Sequence, residues 1–287
     1  MAVEAFKSGL GRRARAVGSV LRSPPAFPPG HFYSPHTSAS DRTIATWWGH
    51  SSPVGVDLHE SDQIELFEKI STFMSDLRED RRYSSDPEIN LQFGRPDAAV
   101  LHGMLRHFRP ERYVEIGSGF STAVALDAAE DHLDGLRITC VEPYPDRLLS
   151  RLKPDDPIVL ERRPVQSLDA RIFEELHRND VLFIDSTHVV KSGSDVVYLM
   201  LHILPLLAPG VLVHIHDIHW PFEYPAQWLN DRRDWNEVYL VRALLSGSAR
   251  WRIRLMSSWV WATRPQTVPP AFAVEPNRVG SLWIQAQ

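Results

Sequence analysis

The stretch Tyr113-Val114-Glu115-Ile116-Gly117-Ser118-Gly119-Phe120-Ser121-Thr122 decides how this chain is read. A short apolar run of strand character meets a turn with two glycines, and a helical pattern continues through Ala123-Val124-Ala125-Leu126. A parallel sheet presents backbone N–H groups to a nucleotide-like ligand in this way, at the mouth of a strand and the start of a helix. Glycine lets the backbone approach closely. Ser121 or Thr122 is expected to cap the helix.

Downstream, strand and helix alternate as a doubly wound sheet requires. Strands are expected at 112–116, 137–141, 158–161, 181–184 and 211–216, with helices at 120–130, 147–152, 170–177 and 192–207 between them. A helical region from Ala226 to Leu245 follows. Segments 251–255 and 281–284 then read as two strands with no helix of crossover length between them, hence an antiparallel end to the sheet. Upstream, Ile64, Phe67, Ile70, Met74 and Leu77 fall at helical spacing behind a cap at Ser61 or Asp62. A second helix opens at Pro96-Asp97 and ends before Pro110. Residues 1–58 lack sustained periodicity and contain Ser23-Pro24-Pro25-Ala26-Phe27-Pro28-Pro29-Gly30, which cannot be helix or central strand. They also carry Phe32, Tyr33, Trp47 and Trp48, so part of this arm is expected to fold back over the core. The domain reading is an arm at 1–58, a helical cap at 59–110 and an α/β core at 111–287.

Composition bounds the partners. The 287 residues, 43% of them hydrophobic, can bury a full α/β core plus additional elements. A net charge of -5, with no basic run interleaved with aromatics, disfavours nucleic acid. No apolar run is long enough to span a membrane, and Arg12, Arg13 and Arg15 precede no secretory core, so a cytoplasmic protein is expected. The single cysteine, Cys140, sits in the run Ile138-Thr139-Cys140-Val141 and reads as a buried, inert thiol.

The turn itself narrows the ligand. A dinucleotide turn would be G-x-G-x-x-G/A, but Thr122 fills the third small position. Glu115 would repel a pyrophosphate and favour a ligand carrying positive charge. E-x-G-x-G after an apolar strand resembles the first motif of the class I S-adenosylmethionine-dependent methyltransferases. The antiparallel closing hairpin resembles their seven-stranded Rossmann-like sheet over residues 95–287, and a dinucleotide domain lacks it. The resemblance implies S-adenosylmethionine as cofactor, contacted by Glu115, Gly117, Ser118, Gly119 and Ser121. Glu142 at the end of the second strand is placed to accept the ribose hydroxyls, with Pro143 beside it. Gln166 and Ser167 occupy the adenine region of related enzymes, and Asp185 borders the same crevice.

Asp185 and Asp217 end the fourth and fifth strands, where two carboxylates can share one divalent cation. The catechol O-methyltransferase family looks similar here, with an Asp after strand four and Asp-Asn after strand five. In this chain Ile218 replaces the Asn, and His188 stands where that family has a catalytic Lys. His214, His216 and His219 surround Asp217. The expected metal ligands are Asp185, His216 and Asp217. An oxygen-only set would favour Mg, and imidazole would favour Mn, Fe or Zn. His214, deepest in its strand, reads as a core residue. His188 is the first candidate for taking a proton from the acceptor, His219 the second and Lys191 the third, with Asp185 part of the same machinery. The segment His219-Trp220-Pro221-Phe222-Glu223-Tyr224-Pro225 reads as a substrate-facing loop.

The expectation is therefore a methyltransferase acting on a small molecule, most readily at a hydroxyl oxygen and with metal assistance, resembling enzymes of secondary metabolism. A homo-oligomer is compatible with the sequence. The competing readings are a metal-independent N- or C-methyltransferase and a non-catalytic protein that keeps the fold and cofactor.

Overall fold

A computed structural model describes residues 26–48, 53–86, 88–90 and 92–287. The proline-rich start Ser23-Pro24-Pro25 and the arginines at 12, 13 and 15 lie outside the described residues, as does the side chain of Trp48. The strands are β1 (Arg112–Ile116), β2 (Arg137–Val141), β3 (Ile158–Glu161), β4 (Val181–Ile184), β5 (Leu212–Ile215), β6 (Trp251–Met256) and β7 (Leu282–Ala286). They form one sheet in the order β3-β2-β1-β4-β5-β7-β6. The pairs among β1 to β5 are parallel, and β7 runs antiparallel to both β5 and β6. The expected closing hairpin is therefore present. β4 is an apolar run and β5 is apolar but for His214, and both are buried along their whole length, because helices cover both faces of a parallel sheet.

The helices that position the crevice are α1 (Ala39–Trp48), α2 (Glu60–Met74), α3 (Arg95–Phe108), α4 (Phe120–His132), α5 (Ala226–Asn230), α6 (Glu237–Leu245) and α7 (Ser257–Thr263). α2 begins at Glu60, two or three residues earlier than a cap at Ser61 or Asp62 implies, with His59 in the left-handed region at φ 49 preceding it, so neither of them is its cap. The crossovers after β2 and β3 shrink to single turns, Asp146–Leu149 and Arg171–Glu174. The helix after β4 starts at Asp195, widens to a π turn at Leu199–Ile203 and tightens over Leu204–Leu206. Pro205, which has no N–H to donate, forces that change of pitch. The expected helix over 226–245 is split between α5 and α6 by a turn in which Arg232 and Asp234 take left-handed φ values of 55 and 52.

Two buried polar anchors tie the helical cap to the α/β core. Arg82 donates to Asp127 on α4 at 2.7 Å and to Glu130 at 2.8 Å, and pairs with Asp156. Asp97, at the start of α3, accepts from Ser281 Oγ at 2.6 Å and from the Gly280 N–H at 3.2 Å. Among its described side chains, the arm is fastened by polar contacts and not by its aromatics. Thr37 Oγ1 donates to Asp234 at 2.7 Å, while Phe32, Tyr33 and Trp47 stay largely exposed.

Candidate active site

The crevice lies at the carboxyl ends of β1, β2, β4 and β5. At its β1 side, Gly117 takes φ +83, and a Cβ there would stand 1.9 Å from the carbonyl oxygen of Asp185. No other residue fits. The Gly117 N–H donates to the Val141 carbonyl at 3.1 Å, and the Asp185 N–H donates to the Ile116 carbonyl at 2.9 Å, so the turn is wedged between β2 and β4. Glu115 lies fully buried beneath this turn and does not face the crevice. It accepts from Thr122 Oγ1 at 2.8 Å and from Ser121 Oγ, which pins the first turn of α4 to β1. Burial pushes its carboxyl up to about 8, against the pull of those two hydroxyl groups. The expected helix cap works in reverse: Gly119 precedes the helix, and its N–H donates to Thr122 Oγ1 at 3.2 Å, leaving Ser121 to Glu115.

Glu142 closes β2 with its carboxylate accepting from the Tyr144 N–H at 2.8 Å and the Ser118 N–H at 3.3 Å. A cleft of about 390 Å³ opens beside it, lined by Gly117, Glu142, Pro143, Gln166, Ser186 and Asp185 among others. Ser118, Gly119 and Ser121 do not line it, and Ser167 turns away to donate to the Pro164 carbonyl at 2.7 Å. Ser118 Oγ and Ser186 Oγ are buried with no protein partner. Tyr144, Ser186 and Thr187 were not legible as lining residues, because polar loop residues carry no periodicity.

Across the crevice, Asp185, His188 and Asp217 bring one ligand atom each to within 4.8 Å of one another. His188 Nε2 is 3.4 Å from Asp185 Oδ1 and 3.6 Å from Asp217 Oδ2. His188 and Asp217 both adopt φ 58. Left-handed backbone at two non-glycine residues persists only where the surroundings impose it. For Asp217 those surroundings include Gly280, where a Cβ would stand 2.9 Å from the Asp217 Cα. For His188 they include α6: the N–H groups of Asn236 and Glu237 donate to the His188 carbonyl at 3.1 and 3.2 Å, and the ring Nδ1 bonds Glu237 Oε2 at 2.9 Å. Glu237, fully buried, is a residue that sequence reading missed. Burial opposes charge on His188, but the carboxylates of Asp185 and Glu237 outweigh it and raise the pKa.

His216 lies beside the trio and not within it. Its Nε2 is 3.7 Å from Asp217 Oδ1, and its Nδ1 bonds His214 Nε2 at 3.3 Å. Burial works against its charge, and Asp217 and Asp185 reverse that and raise it. His214 stacks on Phe183 at 3.9 Å, and burial lowers its pKa, as suits a core imidazole. His219 is buried with neither ring nitrogen partnered, and burial lowers it to about 4. It lines a second cavity of about 340 Å³ with Thr46 of the arm, Glu223, Tyr224, Glu275 and Asn277. Lys191 lines the cleft on the Gln166 side. A larger groove, about 970 Å³, runs along β1–β3 and α4 near Arg112 and Arg137, at the amino ends of the strands, and touches none of these residues.

Comparison with known proteins places this geometry. Residues 114–218, from β1 to just past Asp217, match the family described as "Methyltransferase domain". An uncharacterized protein of Archaeoglobus fulgidus is 34% identical over 174 residues, 53% of this chain and 75% of the relative. Among solved structures, the O-methyltransferase TomG from Streptomyces achromogenes in complex with SAM is 14% identical, covering 87% of this chain and 98% of its own, at a TM-score of 0.44. The plantazolicin methyltransferase BpumL in complex with a desmethyl analog and SAH is 10% identical, covering 80% and 99%, at a TM-score of 0.47. No helix among the described residues is long and apolar enough to cross a membrane. With the domain match spanning the glycine turn and both strand-end aspartates, and the sheet closing through an antiparallel β7, the chain belongs to the class I S-adenosylmethionine-dependent methyltransferases.

Proposed function

We propose that this enzyme methylates a hydroxyl oxygen of a small-molecule acceptor. The reading rests on one observation: Asp185 both lines the cleft beside Gly117 and Glu142 and belongs to the Asp185–His188–Asp217 trio, so a candidate cofactor site and a proton- or cation-handling site share a wall. The chain fits the cofactor. Gly117 lets the turn pack directly on the Asp185 carbonyl at the wall of the cleft, Ser186 Oγ is an orphaned buried hydroxyl at the cleft, and Glu142 offers a carboxylate held by two N–H groups. In this reading Glu142 accepts ribose hydroxyls, Gln166 and Pro143 flank the base, and Gly117 and Asp185 border the methionine end.

The cofactor supplies a methyl group on a positively charged sulfonium. The protein's task is to align the acceptor oxygen behind that methyl and to remove its proton. Asp185, His188 and Asp217 form a donor set suited to a divalent cation, which would lower the pKa of a bound hydroxyl. His188, with both ring nitrogens turned to carboxylates, suits that set better than the role of free base. His219, neutral and unpartnered two residues from Asp217, is the imidazole left to accept a proton. In this reading the acceptor lies on the side bounded by the 219–225 segment, where Thr46 of the arm lines the same cavity.

Calorimetry with S-adenosylhomocysteine tests the cofactor half. Glu142→Ala should weaken binding at least about tenfold, equivalent to about 1.4 kcal/mol, and unchanged affinity would remove Glu142 from the site.

A further inference from the structure

The trio differs from an all-oxygen cation site in its third member, and the structure shows how that member is held. His188 is bound on three sides by residues 236 and 237: two N–H groups grip its carbonyl, and Glu237 takes its Nδ1 at 2.9 Å. The Asn236 side chain adds a fourth contact, accepting from the Val190 N–H at 2.5 Å. In its neutral form, the form that ligates a metal, an imidazole that donates its Nδ1 N–H to a carboxylate carries its lone pair on Nε2. That Nε2 makes no hydrogen bond, although the side chain is only 6% exposed, and it faces Asp185 and Asp217.

Two accounts compete for this arrangement. In the first, His188 is a cation bridging two carboxylates. A charge-assisted N–H···O bond should then be about 2.7–2.9 Å, whereas the separations are 3.4 and 3.6 Å. In the second, the gap holds an ion. Donors each about 2.0–2.1 Å from one tetrahedral ion stand about 3.4 Å apart, which matches the spacing found. A nitrogen donor beside two carboxylates favours borderline transition metals over magnesium, which prefers oxygen.

Resting on the proposed reading of this crevice, we infer that Asp185, His188 and Asp217 form a transition-metal site of the zinc, iron, cobalt or manganese class, with Glu237 as the residue that positions His188 as its nitrogen ligand. Glu237 touches neither substrate nor cofactor in this assignment. It acts through the ring it holds.

The test uses the full chain stripped with chelator and titrated separately with Co²⁺, Zn²⁺ and Mg²⁺, following Co²⁺ by its visible absorption and all three by calorimetry. Co²⁺ and Zn²⁺ should bind at least about 100-fold more tightly than Mg²⁺. Glu237→Gln should lower Co²⁺ affinity about 10- to 100-fold, as loss of a ligand's supporting carboxylate does, and change the Co²⁺ spectrum. His188→Ala should abolish the Co²⁺ band. His188→Asp, which returns an oxygen donor, should shift preference toward Mg²⁺. A role for Glu237 in folding alone would lower the melting temperature of Glu237→Gln and leave its Co²⁺ affinity and spectrum as in the wild type. That result overturns the inference, as does Mg²⁺ binding as tight as Co²⁺, or no metal binding by a folded wild-type chain. S-adenosylhomocysteine affinity is measured on the same samples. Its absence would sink the cofactor reading while the Co²⁺ titration still decides the metal, so the two failures remain distinct.

Discussion

Around Gly117 the anchoring side-chain contacts are short in sequence: Ser121 and Thr122 reach Glu115 across 6 and 7 residues, and the Ser118 N–H reaches Glu142 across 24. Around Asp217 they are long: Glu237 holds His188 across 49 residues, and Asp97 holds the Ser281 hydroxyl across 184. The proposed cofactor side is thus a local motif that one strand-turn-helix unit nearly completes by itself. The proposed acceptor side draws its contacts from α6, the start of β7 and the cap. The two sides meet at a seam where Gly117 lies against the Asp185 carbonyl and the Asp185 N–H donates to the Ile116 carbonyl.

The largest expected effect comes from breaking that seam. Gly117→Ala adds a methyl group 1.9 Å from a backbone oxygen at a left-handed φ. Strain and overpacking together should cost roughly 3–5 kcal/mol. Denaturant unfolding should show the loss, and both S-adenosylhomocysteine and Co²⁺ binding should fail together. Retention of either one would mean that the sides are joined elsewhere.

A smaller effect separates them. Asp217→Ala should lower methyl transfer about 10²- to 10³-fold, the scale set by removing one group that stabilises transition-state charge. It should leave the S-adenosylhomocysteine affinity within about twofold of wild type. Glu142→Ala should show the reverse emphasis, with affinity lost first. If Asp217→Ala weakens the cofactor as much as Glu142→Ala does, the comparison collapses into a single site.

The contrast also explains what the sequence could reveal. The first five strands, the closing hairpin and the crevice residues Gly117, Glu142 and Asp185 were legible, because apolar runs, glycine punctuation and strand-end acids are local signals. Glu115 was legible as important but misread in place. Its position in the motif suggested a ligand-facing charge, and only the register opposite Cys140 and Phe183 shows it beneath the turn. Glu237 left no signal, since an acid in the first turn of a helix is ordinary and its partner lies 49 residues away. The choice of His188 over His216 as the third member of the trio depends on a left-handed backbone at 188 that no propensity would assign to histidine.

Glu115 gives a test of the cofactor side alone. Its carboxyl sits at about 8 in the fold against an ordinary 4.5. The folded state therefore holds a proton that the unfolded chain releases, so this group's stabilisation is complete below about pH 4.5 and is lost as pH rises towards 8. Between pH 6 and 7.5 that loss is about 2 kcal/mol. Glu115→Gln, neutral at every pH, should lose about that much less across the same interval in urea unfolding. Parallel pH curves for the two proteins would show that Glu115 is ionised in the fold.

The smallest expected effect concerns the arm. Asp234 accepts from Thr37 Oγ1 at 2.7 Å and from the Thr37 N–H at 3.2 Å, and pairs with His36 at 3.0 Å. The next residue, Trp235, lies 4.4 Å from the His188 ring. Fastening the arm thus bears on the acceptor side and leaves the glycine turn untouched. Because these partners are half-exposed, Asp234→Ala should cost only about 0.5–1 kcal/mol, which lowers the melting temperature by about 1–4 °C in a chain of this size. The more telling readout is kinetic: the acceptor KM should rise a few-fold while S-adenosylhomocysteine affinity stays unchanged. A change in cofactor affinity with KM unmoved would assign the arm to the other side of the seam.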